Sequence, residues 1–311
     1  MAPRVPLQTQ RGLALILSLW VIALMTIMAG SYALSTRREA GLLNHAHERA
    51  KAVALADGGV HYAMLMLTLP DPKQRWKADG TPYVWGSDEA RVRIRVYDEG
   101  GKVDLNAAQQ PTLRAVFKLI LGDEDRATQL ADAILDWRDA DDLKLMHGAE
   151  SAEYREAGRQ PPQNRNFLVL QELQGVLGMT PELYHRLEPW FTLYTGQDGL
   201  NPAKAGRDVL LALSGGDQGA VDSYIEQRRL GNPQPFPPTA GVKFHSAGDM
   251  AYTVEAQAEF ADQRGTGVSA VIKRGRGADG GPFAYLTWRA RTIPPHSGRP
   301  ESFNQAGAAA P

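Results

Sequence analysis

The sequence predicts an α+β fold: a long amino-terminal transmembrane helix that continues as an amphipathic helix, an antiparallel sheet, and a large all-α domain inserted into that sheet. Three observations carry this prediction. Residues Leu13 to Leu34 run without a single charge. Apolar and polar residues alternate strictly at residues 90–98 and again in stretches between 252 and 289. The segment between those two blocks, from Pro111 to about Arg229, follows a helical period instead. Strands, then helices, then strands describe an α-domain set into an antiparallel sheet.

Taken in order, the uncharged run of about 22 residues covers roughly 33 Å at about 1.5 Å per residue, enough for a bilayer core of about 30 Å. A cleaved secretory signal is the alternative, since Ala29-Gly30-Ser31 offers small residues, but such signals have an apolar region of only about 7–15 residues. Charge does not orient the span, because Arg4 and Arg11 before it are matched by Arg37 and Arg38 after it. Beyond the span, Leu43, Ala46, Ala50, Val53, Val60, Met64 and Leu67 keep helical spacing until Pro70. One helix of about 55 residues, or about 80 Å, is implied. Gly58-Gly59 would cost roughly 1 kcal/mol each against Ala in an exposed helix interior, so they predict close packing or a bend.

Asp71 to Glu89 is rich in Pro, Gly and charge and reads as an irregular connector pinned by Trp76, Tyr83 and Trp85. In Ala90–Asp98, Val92, Ile94 and Val96 share one face while Arg91, Arg93 and Arg95 share the other. The arginines suit a solvated strand face better than a phosphate-binding one. Gly100-Gly101 then predicts a turn, with Lys102–Asn106 returning as the second strand of a hairpin. Helices are predicted around Leu113–Ile120, Arg126–Trp137, Phe167–Leu177 and Pro181–Leu187, followed by a pair, Ala203–Leu213 and Asp217–Arg229, joined by Ser214-Gly215-Gly216. Strands resume at Tyr252–Phe260, Gly267–Lys273 and Phe283–Arg289, and the Pro-, Gly- and Ala-rich tail from Arg291 is expected to be disordered.

With no cysteine in the chain, its stability must come from core burial rather than disulfides. About 240 residues after Pro70 suffice for one or two domains with cores of their own. A net charge of −1 supplies no bulk field for nucleic acid or anionic lipid.

One cluster carries chemistry. Asp136, Asp139, Asp141 and Asp142 end a helix and enter a loop, with Glu150 and Glu153 close behind and only His147 as a softer neighbour. Hard oxygen donors favour Ca²⁺, which takes about 6–8 oxygens, over Zn²⁺. The alternative is a solvated acidic loop with one Asp capping the next helix.

A basic leader ending in Gly12, followed from Leu13 by a helix apolar in its first half and amphipathic in its second, resembles the prepilin-like proteins of type II secretion and type IV pili. Most members carry Glu five residues after the cut, where this chain has Leu17; absence of that Glu is a habit of the K-type minor pseudopilins. Internal motifs resemble the same branch: Gly101–Asn106 its "G-K-(hydrophobic)-x-L-N" strand, Ile134–Asp142 its "DWxDADD" element, and Gly148-Ala149-Glu150 with Tyr154 its "GAE…Y" element. Gln171-Glu172-Leu173 resembles its "EL" helix, and Asn201-Pro202-Ala203 sits where the branch has "N-x-N-T-A". The resemblance implies a leader at 1–12, a transmembrane helix at 13–36, a pseudopilin-like helix and first strands at 37–110, an inserted α-domain at 111–240, returning strands at 241–290 and a tail at 291–311. It further implies prepilin-peptidase cleavage between Gly12 and Leu13, methylation, and an assembly role for Leu17. Calcium is implied near Asp136, Asp139, Asp141, Asp142 and Glu150. The implied partners are the I- and J-type minor pseudopilins and the major pseudopilin, with the chain crossing the inner membrane once and its carboxy-terminal part in the periplasm.

Other classes remain to be weighed. A type IV pilus-like minor pilin would share the amino terminus. Glycine turns at Gly178-Met179-Thr180 and Ser214-Gly215-Gly216 resemble helix-hairpin-helix units that offer N–H groups to DNA phosphates, but Asp217, Asp222 and Glu226 crowd the second. Acid pairs such as Asp139 with Glu150 could serve hydrolysis, yet there is no G-x-S-x-G elbow and no cysteine nucleophile. The expectation is a non-catalytic assembly subunit at a pseudopilus tip that does not bind nucleic acid.

Overall fold

The computed structural model describes residues 11–86, 90–231, 234–259, 266–277 and 280–292. Most of the leader (1–10) and the tail from residue 293 lie outside them, and Gly12 and Leu13 are described as helical backbone only. Helix α1 (Arg11–Thr68) is continuous over 58 residues. Its apolar first part, long and apolar enough to cross a membrane, leaves Leu17 at 62% and Trp20 at 73% exposed. Its last turns bury Ala52, Ala56, Val60, Ala63 and Leu67, one stripe at four- and three-residue spacing.

That stripe packs on a five-stranded antiparallel sheet of order β1-β2-β5-β6-β7, formed by β1 (Tyr83–Gly86), β2 (Arg91–Asp98), β5 (Ala251–Glu259), β6 (Thr266–Arg274) and β7 (Phe283–Thr292). Val92, Ile94 and Val96 face the helix as their alternation predicts, joined by Val254, Ala256, Val268 and Ile272. Gly59 permits the close approach: a Cβ there would stand 2.8 Å from Val92 Cγ1 and 3.2 Å from Ile94 Cδ1. The glycine pair therefore marks packing, and the helix does not break. The connector contributes one strand not foreseen, β1, and its aromatic pins are real, with Trp76 stacked on Tyr83 at 4.0 Å between ring centroids.

The predicted hairpin does not form. β2 pairs with β5 (Asp98↔Tyr252 through Arg91↔Glu259), while Val103–Asp104, as β3, pairs in parallel with β4 (Phe191–Thr192) in a separate two-stranded sheet. The reason is local. A tight two-residue hairpin needs positive φ, and neither Gly100 nor Gly101 has it. Instead Asp98 Oδ1 accepts from Gly100 N at 2.9 Å, closing a 3-10 turn at Glu99–Gly101. These glycines let other backbone come close, since a Cβ at Gly100 would stand 2.7 Å from Ala247 O and one at Gly101 would meet Lys204 O.

Between the hydrogen-bonded neighbours β2 and β5 lies a helical unit with its own core. Its helices are α2 (Gln110–Leu121), α3 (Glu124–Arg138), α4 (Ser151–Glu156), α5 (Pro181–Leu187), α6 (Arg207–Leu213) and α7 (Gln218–Arg229). Phe117, Leu130, Ile134, Trp137, Leu173 and Leu210 are among the residues of this core. Two predicted helices are shorter than their pattern. Phe167–Leu177 yields only a 3-10 segment at Leu170–Gly175, because the Glu172 carboxylate folds back to accept from Leu168 N and Val169 N. Ala203–Leu213 becomes helical only at Arg207, because the Asn201 side chain accepts from Ala203 N at 2.9 Å and holds a turn.

Candidate functional site

The acidic motif lies where α3 ends. Along Asp136–Asp139 successive side chains go to different places, as the helical period requires. Asp136 is fully buried and Asp139 is the C-cap. Trp137 packs against Tyr154 and Phe167 with ring centroids 5.7 and 6.1 Å apart, and Arg138 reaches back to the Leu105 and Ala108 carbonyls. Across the loop, Glu150 is the N-cap of α4; its own N–H donates to Glu153 Oε2 at 3.0 Å, and its carboxylate turns inward, 4% exposed.

The result is a pocket of three carboxylates, Asp136, Asp139 and Glu150, each offering an oxygen within 4.8 Å of the others. Of the five predicted cation ligands, these three are brought together. Asp141 and Asp142 stay on the solvent side: Asp141 Oδ1 accepts from Leu143 N at 2.9 Å, and Asp142 Oδ1 from Ser151 Oγ and Asn164 Nδ2 at 3.4 Å each. Glu153 is drawn away by Lys144 Nζ at 2.7 Å, whose hydrogen bond is the first reason its carboxyl is held down to about 2. His147 pairs with Asp132, Nδ1 to Oδ2 3.5 Å.

The electrostatics of the three are those of a site short of positive charge. Burial first, then the charges of Asp136 and Asp139, push the Glu150 carboxyl up to about 7. Burial also pushes Asp136 up to about 6, against N–H groups donated by Leu145 and Ala149, and it raises Asp139 together with the neighbouring Asp141 charge. Both Glu150 oxygens and Asp139 Oδ1 are buried with no hydrogen-bond partner. Orphaned carboxylate oxygens of this kind are costly unless a cation satisfies them, and an all-oxygen donor set suits a hard divalent ion. The residues fit calcium.

Two contributors to the pocket escape the sequence reading. Gly148 runs so close that a Cβ on it would overlap Asp136 Oδ2; the "GAE" motif contains this glycine, but nothing in its spacing shows the contact. Asn164, in left-handed backbone (φ 47°), donates to Asp141 O at 3.1 Å and leaves its own Oδ1 buried and unpartnered beside the acidic loop. Only the tolerance of Asn for that backbone region hints at it. The two glycine turns proposed as helix-hairpin-helix units do have positive φ at Gly178, Gly215 and Gly216, but Asp217 spends its carboxylate capping α7 and Asp222 pairs with Arg207 at 2.9 Å.

This pocket, and the β2-to-β4 segment that frames it, coincide with a known domain. Residues 94–196 match the family model for type II secretion system (T2SS), protein K. Residues 94–196 are thus similar to the protein K domain of type II secretion. The K-type resemblance drawn from the motifs is thereby borne out. The chain is 30% identical over 213 residues to type II secretion system protein K of Aeromonas hydrophila, an alignment covering 58% of this chain and 62% of that protein. It is 29% identical over 236 residues to its Klebsiella pneumoniae namesake, covering 65% and 69%. The chain thus spans less than two thirds of the Aeromonas relative's length. A chain of the GspK-GspI-GspJ complex from the enterotoxigenic Escherichia coli type 2 secretion system superposes with a TM-score of 0.57 at 18% identity, covering 78% of this chain and 97% of that one. That likeness shows a shared α+β fold over the part of the chain it covers.

Proposed function

We propose that the chain is a minor pseudopilin of type II secretion, a non-catalytic assembly subunit held at the pseudopilus tip by its K domain. One observation carries the reading: the helical unit emerges between hydrogen-bonded neighbours β2 and β5, at the end of the sheet reached by the last turns of α1. A filament of packed α1 helices has no room inside it for a unit of roughly 150 residues, so the subunit belongs where nothing stacks above it. The exposed apolar part of α1 would pass once through the inner membrane and associate there with other helices, leaving the sheet and K domain in the periplasm. Prepilin peptidase would cut between Gly12 and Leu13, and with the uncharged Leu17 in place of a carboxylate this subunit would need no subunit above it to pair with, which suits a terminal position.

By analogy with the complex of the structural relative, the partners are I- and J-type minor pseudopilins, with the major pseudopilin below. Co-purification of the detergent-solubilised chain with those two subunits tests this; a chain that elutes alone from both overturns it. The replacement L17E tests the capping argument. A variant that still sits only at tips would show that the missing charge does not fix the position.

Calcium, held by Asp136, Asp139 and Glu150 with Asp141, Asp142 or Asn164 at the margin, would neutralise the pocket and tie the α3 end to the α4 start. A calcium-dependent rise in melting temperature is the expected signature, and its absence at millimolar Ca²⁺ removes the ion from the proposal.

A further inference from the structure

A second cavity, which shares no lining residue with the carboxylate pocket, has the opposite character. It encloses about 430 Å³ where the end of α1, the connector after it, the helical unit and the sheet meet. Five cationic side chains line it, Arg75, Lys77, Lys204, Arg228 and Arg274, against two carboxylates, Asp79 and Asp249. They arrive from four separate places: the connector, the turn after Asn201, α7 and the end of β6. Such convergence from distant sequence is not the solvated face of one element.

The cations are also short of anions. Among the described residues, Lys204 is the one of the five with a side-chain ion pair, to Asp98 at 3.3 Å and Asp249 at 3.0 Å. Arg75 donates to the Leu69 and Pro70 carbonyls, Arg228 to those of Ala203 and Ala205, Lys77 to that of Arg229, and Arg274 to the Asp249 carbonyl and the Tyr252 hydroxyl. The Nε of Arg228 is buried without a partner. Guanidinium groups held by carbonyls keep their full charge and a fixed plane, and that plane matches the oxygens of phosphate bidentately. Partial exclusion of water strengthens the attraction.

We propose that this cavity binds a phosphate-bearing anion, which would cross-brace the stalk helix, the sheet and the helical unit. About 50 Å of helix separates Leu34, the end of the apolar run, from Leu67 in the cavity wall. Bilayer headgroups at the foot of the stalk do not reach it, so the ligand is a soluble phosphate.

The test is calorimetric titration of the full chain in neutral-lipid nanodiscs with inorganic phosphate and with pyrophosphate, at ionic strength matched by chloride. Saturable binding is expected, tighter for pyrophosphate. Binding should weaken at least tenfold in R75Q and in R274Q, whose side chains are exposed enough for the fold to survive, and stay unchanged in K73Q, which lies outside the cavity. A headgroup arm uses phosphatidylglycerol vesicles, and capture on them that depends on Arg274 without any response to free phosphate overturns the proposal. So does the absence of saturable heat at millimolar anion, or equal binding by wild type, R75Q and R274Q.

Discussion

Glu150 is the residue on which the carboxylate pocket turns, because it is buried with both oxygens unpartnered while two other acids face it. Its carboxyl lies near 7 and that of Asp136 near 6, above the usual range of about 4 for these groups in an unfolded chain. Between about pH 4 and pH 7 the folded form therefore holds more protons than the unfolded one, and each step up in pH favours unfolding. In chelator, the contribution of this site to the melting temperature should fall from pH 5 to pH 7.5 and level off above. Calcium competes with those same protons, so its affinity should rise over the same interval. The isosteric change E150Q removes the charge: the metal-free variant should melt no lower than wild type at pH 7.5. It should also lose the calcium stabilisation, which for the wild type is about 2.7 kcal/mol at a hundredfold excess over Kd. A variant that keeps the calcium shift would take Glu150 out of the ligand set. Gly148 sets the pocket's shape from the other side. In G148A the new methyl would overlap Asp136 Oδ2, and a destabilisation of about 1–3 kcal/mol by overpacking is expected in urea titrations.

Helix α1 shows how the same residue type acts oppositely along one element. Gly41 has nothing within 4 Å of an added Cβ, whereas at Gly59 that atom would crowd Val92, Ile94 and Ala256 of the sheet. G41A should gain up to about 1 kcal/mol from helix propensity, while G59A should lose about 1–3 kcal/mol because the overlap outweighs the same gain. Thermal unfolding of both variants beside wild type reads the difference, and equal effects would mean that α1 does not seat on the sheet at Gly59. The sequence made the helix, the buried face of β2 and the helical unit legible, because each rests on a repeated period that many residues share. Gly100-Gly101 misled because a glycine pair looks the same whether it supplies positive φ or close approach, and only the backbone of residues 204–205 and 247–248, distant in sequence, decides. Glu172 shortened a helix for a related reason, since a carboxylate that caps backbone N–H groups leaves no mark on the hydrophobic period. In the pocket, the motif identified which acids matter. It could not say which faced inward, as Asp139 sits at a helix end where side-chain direction stops following the helical period.

At the scale of the molecule, two hydrophobic cores, one under α1 and one inside the helical unit, share no cluster of buried apolar residues among those described. They meet instead through a polar junction. Asp98, at the end of β2, is buried and accepts from Gly100 N at 2.9 Å and Asp249 N at 2.8 Å, while Lys204 from the helical unit approaches it to 3.3 Å. Burial raises the Asp98 carboxyl, and the two N–H groups and Lys204 oppose that rise. Asn201 adds a backbone link, its N–H donating to Gly100 O at 2.8 Å. Removing the lysine leaves a buried carboxylate without its cation, a loss of about 2–3 kcal/mol once the partial exposure of Lys204 is discounted from the value for a fully buried pair. That loss falls on the coupling between the cores and not on either core itself. In scanning calorimetry at pH 7 the K204M variant should therefore split a single transition into two, with the sheet and the helical unit melting apart. A single transition that shifts by less than about 0.5 kcal/mol, the range of an ordinary surface change, would mean that the two cores are held together elsewhere.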